Sequence, residues 1–183
     1  MRYPTPLVLV LAAALAAPVT AETMRHEAAG LRFSVPKAWT RVPAPSDVRA
    51  AQYKIPGAGG DAEDGELILF YFGKGKGGGV QENLERWYGQ FTQKDGKPSK
   101  DAAVLTIRTV NGLRVTVADL AGVYTPMAGP MQKGEPKPGY RMLGAIVEGD
   151  EGPWFFKATG PEATMAAAKG DFDALVQSLE AHR

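Results

Sequence analysis

The fold is decided by residues 104–118, which read VLTIRTVNGLRVTVA. Two segments that alternate apolar and polar residues, Val104–Val110 and Leu113–Ala118, flank the dipeptide Asn111-Gly112. This dipeptide tolerates the positive φ angles of a type I′ turn, so the stretch predicts a β-hairpin with a two-residue loop. Because a hairpin joins antiparallel strands, the sequence predicts an antiparallel sheet.

The segments around this hairpin predict further strands and two amphipathic helices. Residues 142–147 and 154–158 form a second hairpin pattern, and residues 67–72 form an apolar run typical of a central strand. Apolar side chains recur at helical spacing from Val80 to Phe91 and again from Met165 to Leu179. Strands in hairpins combined with two such helices predict one α+β domain, in which the helices pack on the sheet.

The stretch Gly30–Trp39, GLRFSVPKAW, resembles the opening of PsbP-like domains, in which a short strand reaches a proline and then a tryptophan. The order of strands and helices also resembles that of this family. So does the closing helix, which contains Phe172 and Leu179. The resemblance implies that residues 22–183 form an α-β-α sandwich with a central antiparallel sheet. It also implies an accessory or binding role, since members include extrinsic subunits of photosystem II and a nuclear-import cofactor that binds a small GTPase. It supplies no catalytic residues.

The first 21 residues have the pattern of a signal peptide. Arg2 precedes an apolar run of 11 residues from Leu7 to Ala17, and Val19-x-Ala21 offers a cleavage site after Ala21. The run is too short for a membrane span, which needs about 20 residues. We therefore expect a periplasmic or secreted protein with no membrane span after cleavage.

The composition excludes several classes of chemistry. The chain has no cysteine and two histidines, which rules out disulfides and cysteine-based sites and leaves little for a histidine-based metal or catalytic site. Its formal net charge is +1, without the basic excess of a nucleic-acid-binding protein. We therefore expect no nucleic-acid partner and no cofactor.

The glycine-rich segment 73–79 is the first candidate site. It contains the pattern G-x-G-x-x-G between an apolar strand and a helix, but the next strand ends at Asn111 without the acidic residue that a dinucleotide site requires. Backbone N–H groups at a helix start, together with nearby lysines, can instead bind a phosphate, a sulfate or a carboxylate. The predicted anion-binding residues are Lys74, Gly75, Lys76, Gly77, Gly78 and Gly79.

Two further groups are candidates for binding. The acidic residues Asp61, Glu63, Asp64 and Glu66 are close in sequence and offer oxygen ligands for a divalent cation, although the EF-hand order is absent. The proline- and glycine-rich segment 125–139 is predicted to be a long loop, and long loops often carry binding functions. Its candidate partner-binding residues are Tyr124, Met127 and Met131.

These observations predict an exported, non-catalytic accessory or binding module. Its loops would engage a partner protein or a small anionic ligand. Two alternatives remain open at this stage: a carboxylate- or metal-assisted hydrolase and a divalent-cation-binding protein, both of which depend on the acidic segment 61–66.

Overall fold

The computed structural model describes residues 22–60, 63–129 and 132–182. The predicted signal peptide, residues 1–21, lies outside this set. Within it, the elements are β1 (Thr23–Ala28), β2 (Leu31–Pro36), β3 (Thr40–Val42), β4 (Arg49–Ile55), β5 (Gly65–Tyr71), α1 (Val80–Tyr88), β6 (Phe91–Thr92), α2 (Ser99–Ala102), β7 (Val104–Val110), β8 (Leu113–Tyr124), β9 (Met127–Gly129), β10 (Gln132–Lys133), β11 (Lys137–Glu148), β12 (Trp154–Pro161), α3 (Glu162–Gln177) and β13 (Glu180–Ala181). None of the described helices is both long enough and apolar enough to span a bilayer.

The strands form one large antiparallel sheet and two small ones. The large sheet has the order β3-β4-β5-β12-β11-β8, and both β6 and β7 pair with β8 at its far edge. β1, β2 and β13 form a three-stranded sheet, and β9 pairs with β10. Every pairing in these sheets is antiparallel, as the hairpin patterns predict. The structure is therefore mostly antiparallel sheet with three helices, an α+β fold.

The hairpin at residues 104–118 is confirmed. Val110 pairs with Leu113, and the turn residues Asn111 and Gly112 have φ angles of 49° and 84°, the positive values of a type I′ turn. The second arm is longer than predicted, because β8 continues beyond Ala118 to Tyr124 by pairing with β11 and β6.

The segment 125–139 differs from the predicted long loop. It contains the short strands β9 and β10 as well as the first residues of β11. The backbone N–H of Gly134 donates a hydrogen bond of 2.7 Å to the carbonyl oxygen of Pro126, which ties the two ends of the β9–β10 ribbon together. Backbone hydrogen bonds therefore order part of a segment whose proline and glycine content suggested irregular structure.

Two apolar clusters occupy opposite faces of the large sheet, because successive side chains of a strand point to opposite sides. In β12, Trp154 and Phe156 belong to the cluster that includes α3, whereas Phe155 belongs to the cluster that includes α1. Lys157 follows Phe156 in the same strand and so shares the α1 side with Phe155. A charged residue therefore occupies a position in the middle of the sheet.

Helix α1 packs closely on the sheet at a glycine next to this lysine. Gly144 of β11 pairs with Lys157 across the strands. A Cβ atom at Gly144 would lie 2.4 Å from Cζ3 of Trp87, so the absence of a side chain lets the tryptophan ring rest on the strand. The segment immediately after α1 then brings Gln90 to the lysine.

Candidate functional site

Lys157 is the centre of a polar site on the α1 side of the sheet. Only 9% of its surface is exposed. Its ammonium group donates hydrogen bonds to Oε1 of Gln90 and to the hydroxyl of Tyr124, the latter at 3.1 Å. The same nitrogen lies 4.9 Å from the centroid of the Tyr124 ring, a cation–π distance. All of these partners are neutral.

No carboxylate oxygen of the described residues lies within 4.0 Å of the Lys157 nitrogen. Buried lysines are normally paired with an acid, so this is an unusual environment. Burial lowers the pKa of Lys157 to about 8, the more distant Glu66 carboxylate opposes this shift, and the Arg49 cation adds to it. Burial also raises the pKa of Tyr124 to about 12, which keeps its hydroxyl protonated beside the amine.

Lys157 faces a cavity of about 240 Å³, here called the lysine cavity. Its lining combines polar and charged side chains with apolar ones. The residues that line it are Arg49, Glu66, Ile68, Phe70, Gln90, Tyr124, Pro126, Met127, Lys157 and Thr159. A small space with a few placed polar groups and apolar walls is typical of a ligand site.

Arg49 is a second cation in the lysine cavity whose charge is not neutralised by direct contact. Its guanidinium donates a hydrogen bond of 3.1 Å to Oε1 of Gln52, and its central carbon lies 5.7 Å from the centroid of the Phe70 ring. The amide of Gln52 in turn donates to Glu66 at 3.3 Å. Among the described side chains, none forms an ion pair with Arg49 within 4.0 Å. The guanidinium is thus held in position by an amide and a ring.

A larger cavity of about 630 Å³ adjoins the lysine cavity and shares Glu66 and Tyr124 with it. This cavity also contains a lysine, Lys137. Its Nζ donates a hydrogen bond of 2.5 Å to Oε1 of Glu63 and one of 3.1 Å to the Tyr140 hydroxyl. These hydrogen bonds raise the pKa of Lys137 to about 12, the opposite direction from Lys157. The Lys137 nitrogen therefore has a carboxylate in direct contact, whereas among the described residues the Lys157 nitrogen has none within 4.0 Å.

The three described acidic residues of segment 61–66 line the larger cavity, but each contacts a different side chain. Three of them have separate partners: Glu63 contacts Lys137, Asp64 contacts Lys54, and Glu66 contacts Gln52. Asp61 lies outside the described residues. In the parts of the chain that the structure covers, no group of three or more histidine, aspartate or glutamate side chains is arranged to hold a metal. The cation-binding and hydrolase hypotheses for these residues stay predictions.

The glycine-rich segment is tied to the turn between β11 and β12. Lys74 forms an ion pair of 2.7 Å with Glu151, whose carboxylate raises the lysine pKa. The N–H of Gly75 donates to the carbonyl of Gly152 at 3.1 Å. Gly77 has a φ of 93°, and a Cβ there would lie within 2.8 Å of two phenylalanine rings.

These contacts explain why the segment is rich in glycine without assigning it a ligand. Gly78 also has a positive φ, of 84°. A Cβ atom there would lie 2.4 Å from a carboxylate oxygen of Glu82, a residue in the first turn of α1. Gly79 is the residue before the helix, and the exposed Lys76 follows the turn at Gly75. Anion binding by residues 74–79 remains a prediction, with one of its two lysines already paired.

The predicted partner-binding residues have different positions in the structure. Tyr124 is buried and presents its hydroxyl to Lys157, whereas Met127 is 49% exposed and lines the mouth of the lysine cavity. Met131 lies outside the described residues. Lys157, Arg49 and Gln90 are not among the residues predicted from the sequence. The one available signal was a lysine inside an otherwise uncharged strand, WFFKATGP.

Comparison with known proteins supports the fold. No protein-family model matches the chain, and no curated protein matches it. The solution structure of cyanobacterial PsbP (CyanoP) from Synechocystis sp. PCC 6803 is similar with a TM-score of 0.50 and 14% sequence identity; the match covers 92% of this chain and 98% of that chain. At this identity the likeness concerns the fold alone. The chain has a PsbP-like fold.

Proposed function

We propose that this protein is an exported accessory protein that binds a small anionic ligand in the lysine cavity. The observation that carries the proposal is the pair of cations, Lys157 and Arg49, that face one cavity without a carboxylate in contact with either. One carboxylate, that of Glu66, lines the cavity with these two cations, and a bound anion would supply a second negative charge in direct contact with them. The family that the sequence resembles consists mainly of accessory and binding proteins, which agrees with this role.

The size and lining of the cavity favour a small organic acid. Its volume of about 240 Å³ lies below the roughly 300–1,000 Å³ typical of sites for drug-sized ligands. A guanidinium matches the planar geometry of a carboxylate with two parallel hydrogen bonds. Ile68 and Phe70 offer apolar surface for the body of the ligand. A carboxylate with a short apolar chain therefore fits better than a highly charged phosphate ester.

Binding of an anion is coupled to the protonation of Lys157. Because burial lowers the pKa of this lysine to about 8, a fraction of free protein lacks the charge at pH 8. An anion in contact favours the charged form and raises the pKa again. Ligand binding therefore takes up protons near pH 8, and affinity decreases as the pH rises above that value.

The test is a calorimetric titration with acetate, succinate, benzoate and inorganic phosphate at pH 7. We expect one of the carboxylates to bind, and Lys157→Met and Arg49→Gln each to weaken binding at least tenfold, the effect of losing one charge-assisted hydrogen bond. Lys76→Met is the matched control, because this lysine is exposed and belongs to the glycine-rich segment. Loss of binding in Lys76→Met with retention in Lys157→Met would place the ligand at the glycine-rich segment and refute the proposal.

Export and layer arrangement are part of the same proposal. The signal-peptide pattern of residues 1–21 supports a periplasmic or secreted location, which N-terminal sequencing of protein recovered from the periplasm or medium tests: the mature chain should begin at Glu22. The membership of α1 and α3 in clusters on opposite sheet faces supports an α-β-α sandwich.

A further inference from the structure

The environment of Lys157 favours a reactive, neutral amine over a permanently charged ammonium group. Without an anion in contact, the ammonium form is disfavoured by burial and the neutral amine is favoured. The neutral amine keeps a lone pair, and the lysine cavity provides open space beside it. A lysine that is desolvated and close to a second cation is the kind that forms covalent adducts with carbonyl compounds.

We propose that Lys157 captures the carbonyl group of a small oxo acid as an imine, while the Arg49 guanidinium binds the carboxylate of the same molecule. This inference rests on the proposed function, because it uses the same cavity and names the class of ligand. The two groups lie on different strands, β12 and β4, and line one cavity. A short 2-oxo acid places its carboxylate and its carbonyl on adjacent carbons, which suits two-point recognition in a small space.

The electrostatics make the amine available near neutral pH. With a pKa of about 8, roughly half of Lys157 is neutral at pH 8, against about 0.3% of an ordinary exposed lysine with a pKa near 10.5. The reactive fraction is therefore greater by about a hundredfold. Burial is the main cause, and the Arg49 charge acts in the same direction.

The chemical step needs no reagent beyond the oxo acid. The lone pair of Nζ forms a bond to the carbonyl carbon while the π pair moves to oxygen, and one proton passes from nitrogen to that oxygen. The resulting carbinolamine loses its hydroxyl with the second amine proton as water, and the nitrogen lone pair completes the C=N bond. Amine and carbonyl thus give imine and water without oxidation or reduction.

Two residues that line the cavity can assist the proton transfers. The hydroxyl of Tyr124 lies 3.1 Å from Nζ, and burial keeps it protonated well above neutral pH. Glu66 lines the same cavity and presents a carboxylate that can accept or return a proton. Gln90 accepts a hydrogen bond from Nζ and so fixes the direction of the amine.

The first experiment traps the imine in the wild-type protein. The protein is incubated with pyruvate and sodium cyanoborohydride, which reduces an imine to a stable amine, and the modified lysine is located by peptide mass spectrometry. We expect the adduct on Lys157, formed at pH 8 about a hundredfold faster than on the exposed Lys76. The rate at Lys157 should rise with pH, with a midpoint near pH 8. Because no substitution is involved, the result does not depend on a variant that folds.

The second experiment separates this inference from the proposed function. Lactate has the carboxylate of pyruvate but no carbonyl, so it reports anion binding alone. Lys157→Arg should lose the adduct, because a guanidinium does not form an imine with pyruvate, and the control Lys76→Arg should keep the adduct on Lys157. If lactate binds but pyruvate leaves no adduct on Lys157, the imine inference is wrong and the anion-binding function stands. If neither acid binds and no adduct forms, both are wrong. Adducts at equal rates on many exposed lysines also overturn the inference.

Discussion

Replacement of Gly144 by alanine tests whether close packing of α1 on the sheet depends on the missing side chain. The added Cβ would lie 2.4 Å from Cζ3 of Trp87 and 3.0 Å from two other ring carbons. Carbon atoms in contact normally lie about 3.5–4.0 Å apart, so the ring must move by about 1 Å. Trp87 is only 7% exposed and has little room to do so.

The expected magnitude follows from two opposing effects. Overpacking of a tight core costs about 1–3 kcal/mol. Alanine in a strand is favoured over glycine by about 0.5–1 kcal/mol, because the unfolded chain loses flexibility. We therefore expect Gly144→Ala to lower the free energy of unfolding by about 0.5–2 kcal/mol, the difference between these effects. At about 2–4 °C per kcal/mol, the melting temperature should decrease by a few degrees.

The assay is urea denaturation followed by circular dichroism, with a matched glycine and a double-mutant cycle. Gly170 lies inside α3, and a Cβ there would meet no atom within 4 Å, so Gly170→Ala should raise the free energy of unfolding by about 1 kcal/mol. In a Trp87→Leu background the ring is absent, and Gly144→Ala should become neutral or stabilising.

Two results would refute this account of the packing. One is a Gly144→Ala variant as stable as the wild type or more stable, like Gly170→Ala. The other is a destabilisation that persists unchanged in the Trp87→Leu background, since the cost would then come from the strand and not from contact with the ring.

Three further predictions concern ionisation and backbone conformation. Lys157 has a lower pKa in the folded state than in the unfolded state. Its contribution to the free energy of unfolding therefore becomes more favourable from pH 8 to 10.5, by at most about 3 kcal/mol. Denaturation of the wild type and of Lys157→Met across this pH range measures the difference. Burial raises the pKa of Tyr53 and Tyr124 to about 12, so the stability that they contribute is present below pH 10 and decreases between pH 10 and 12; ultraviolet titration should show these two rings ionising last. Gly77→Ala should destabilise by about 1–3 kcal/mol, because φ is positive and the Phe155 ring blocks the Cβ; its melting temperature measures this.

Local sequence patterns predicted the elements whose partners are close in the chain. The first hairpin could be predicted because Asn111 and Gly112 determine the turn by themselves. The remainder of β8 could not, because the charged Asp119 interrupts its apolar pattern. In the structure this carboxylate accepts two hydrogen bonds, of 2.6 and 2.7 Å, from Arg141 of β11. A partner 22 residues away stabilises this partly buried acid, and a local pattern does not reveal that partner.

The site was harder to predict than the fold for the same reason. The sequence shows a lysine in the strand that contains Trp154, but the residues around this lysine come from β4, β5, β8 and the short segment after α1. Whether such a lysine points to water or into the sheet depends on the order of strands. The glycine-rich segment was visible because its residues are adjacent, yet its glycines accommodate rings and turns.

The packing of the Trp87 ring on Gly144 links the reactivity of Lys157 to local unfolding of α1. Helix α1 has nine residues, too few to be stable without its packing on the sheet. Gln90, which accepts a hydrogen bond from the lysine amine, lies two residues after the end of this helix. Any opening that lifts α1 from the sheet hydrates Lys157 and returns its pKa towards the value of a free lysine. The reactivity of the amine therefore depends on the fraction of time that α1 is packed on the sheet. Substitutions that stabilise α1 will change this reactivity although they lie outside the cavity.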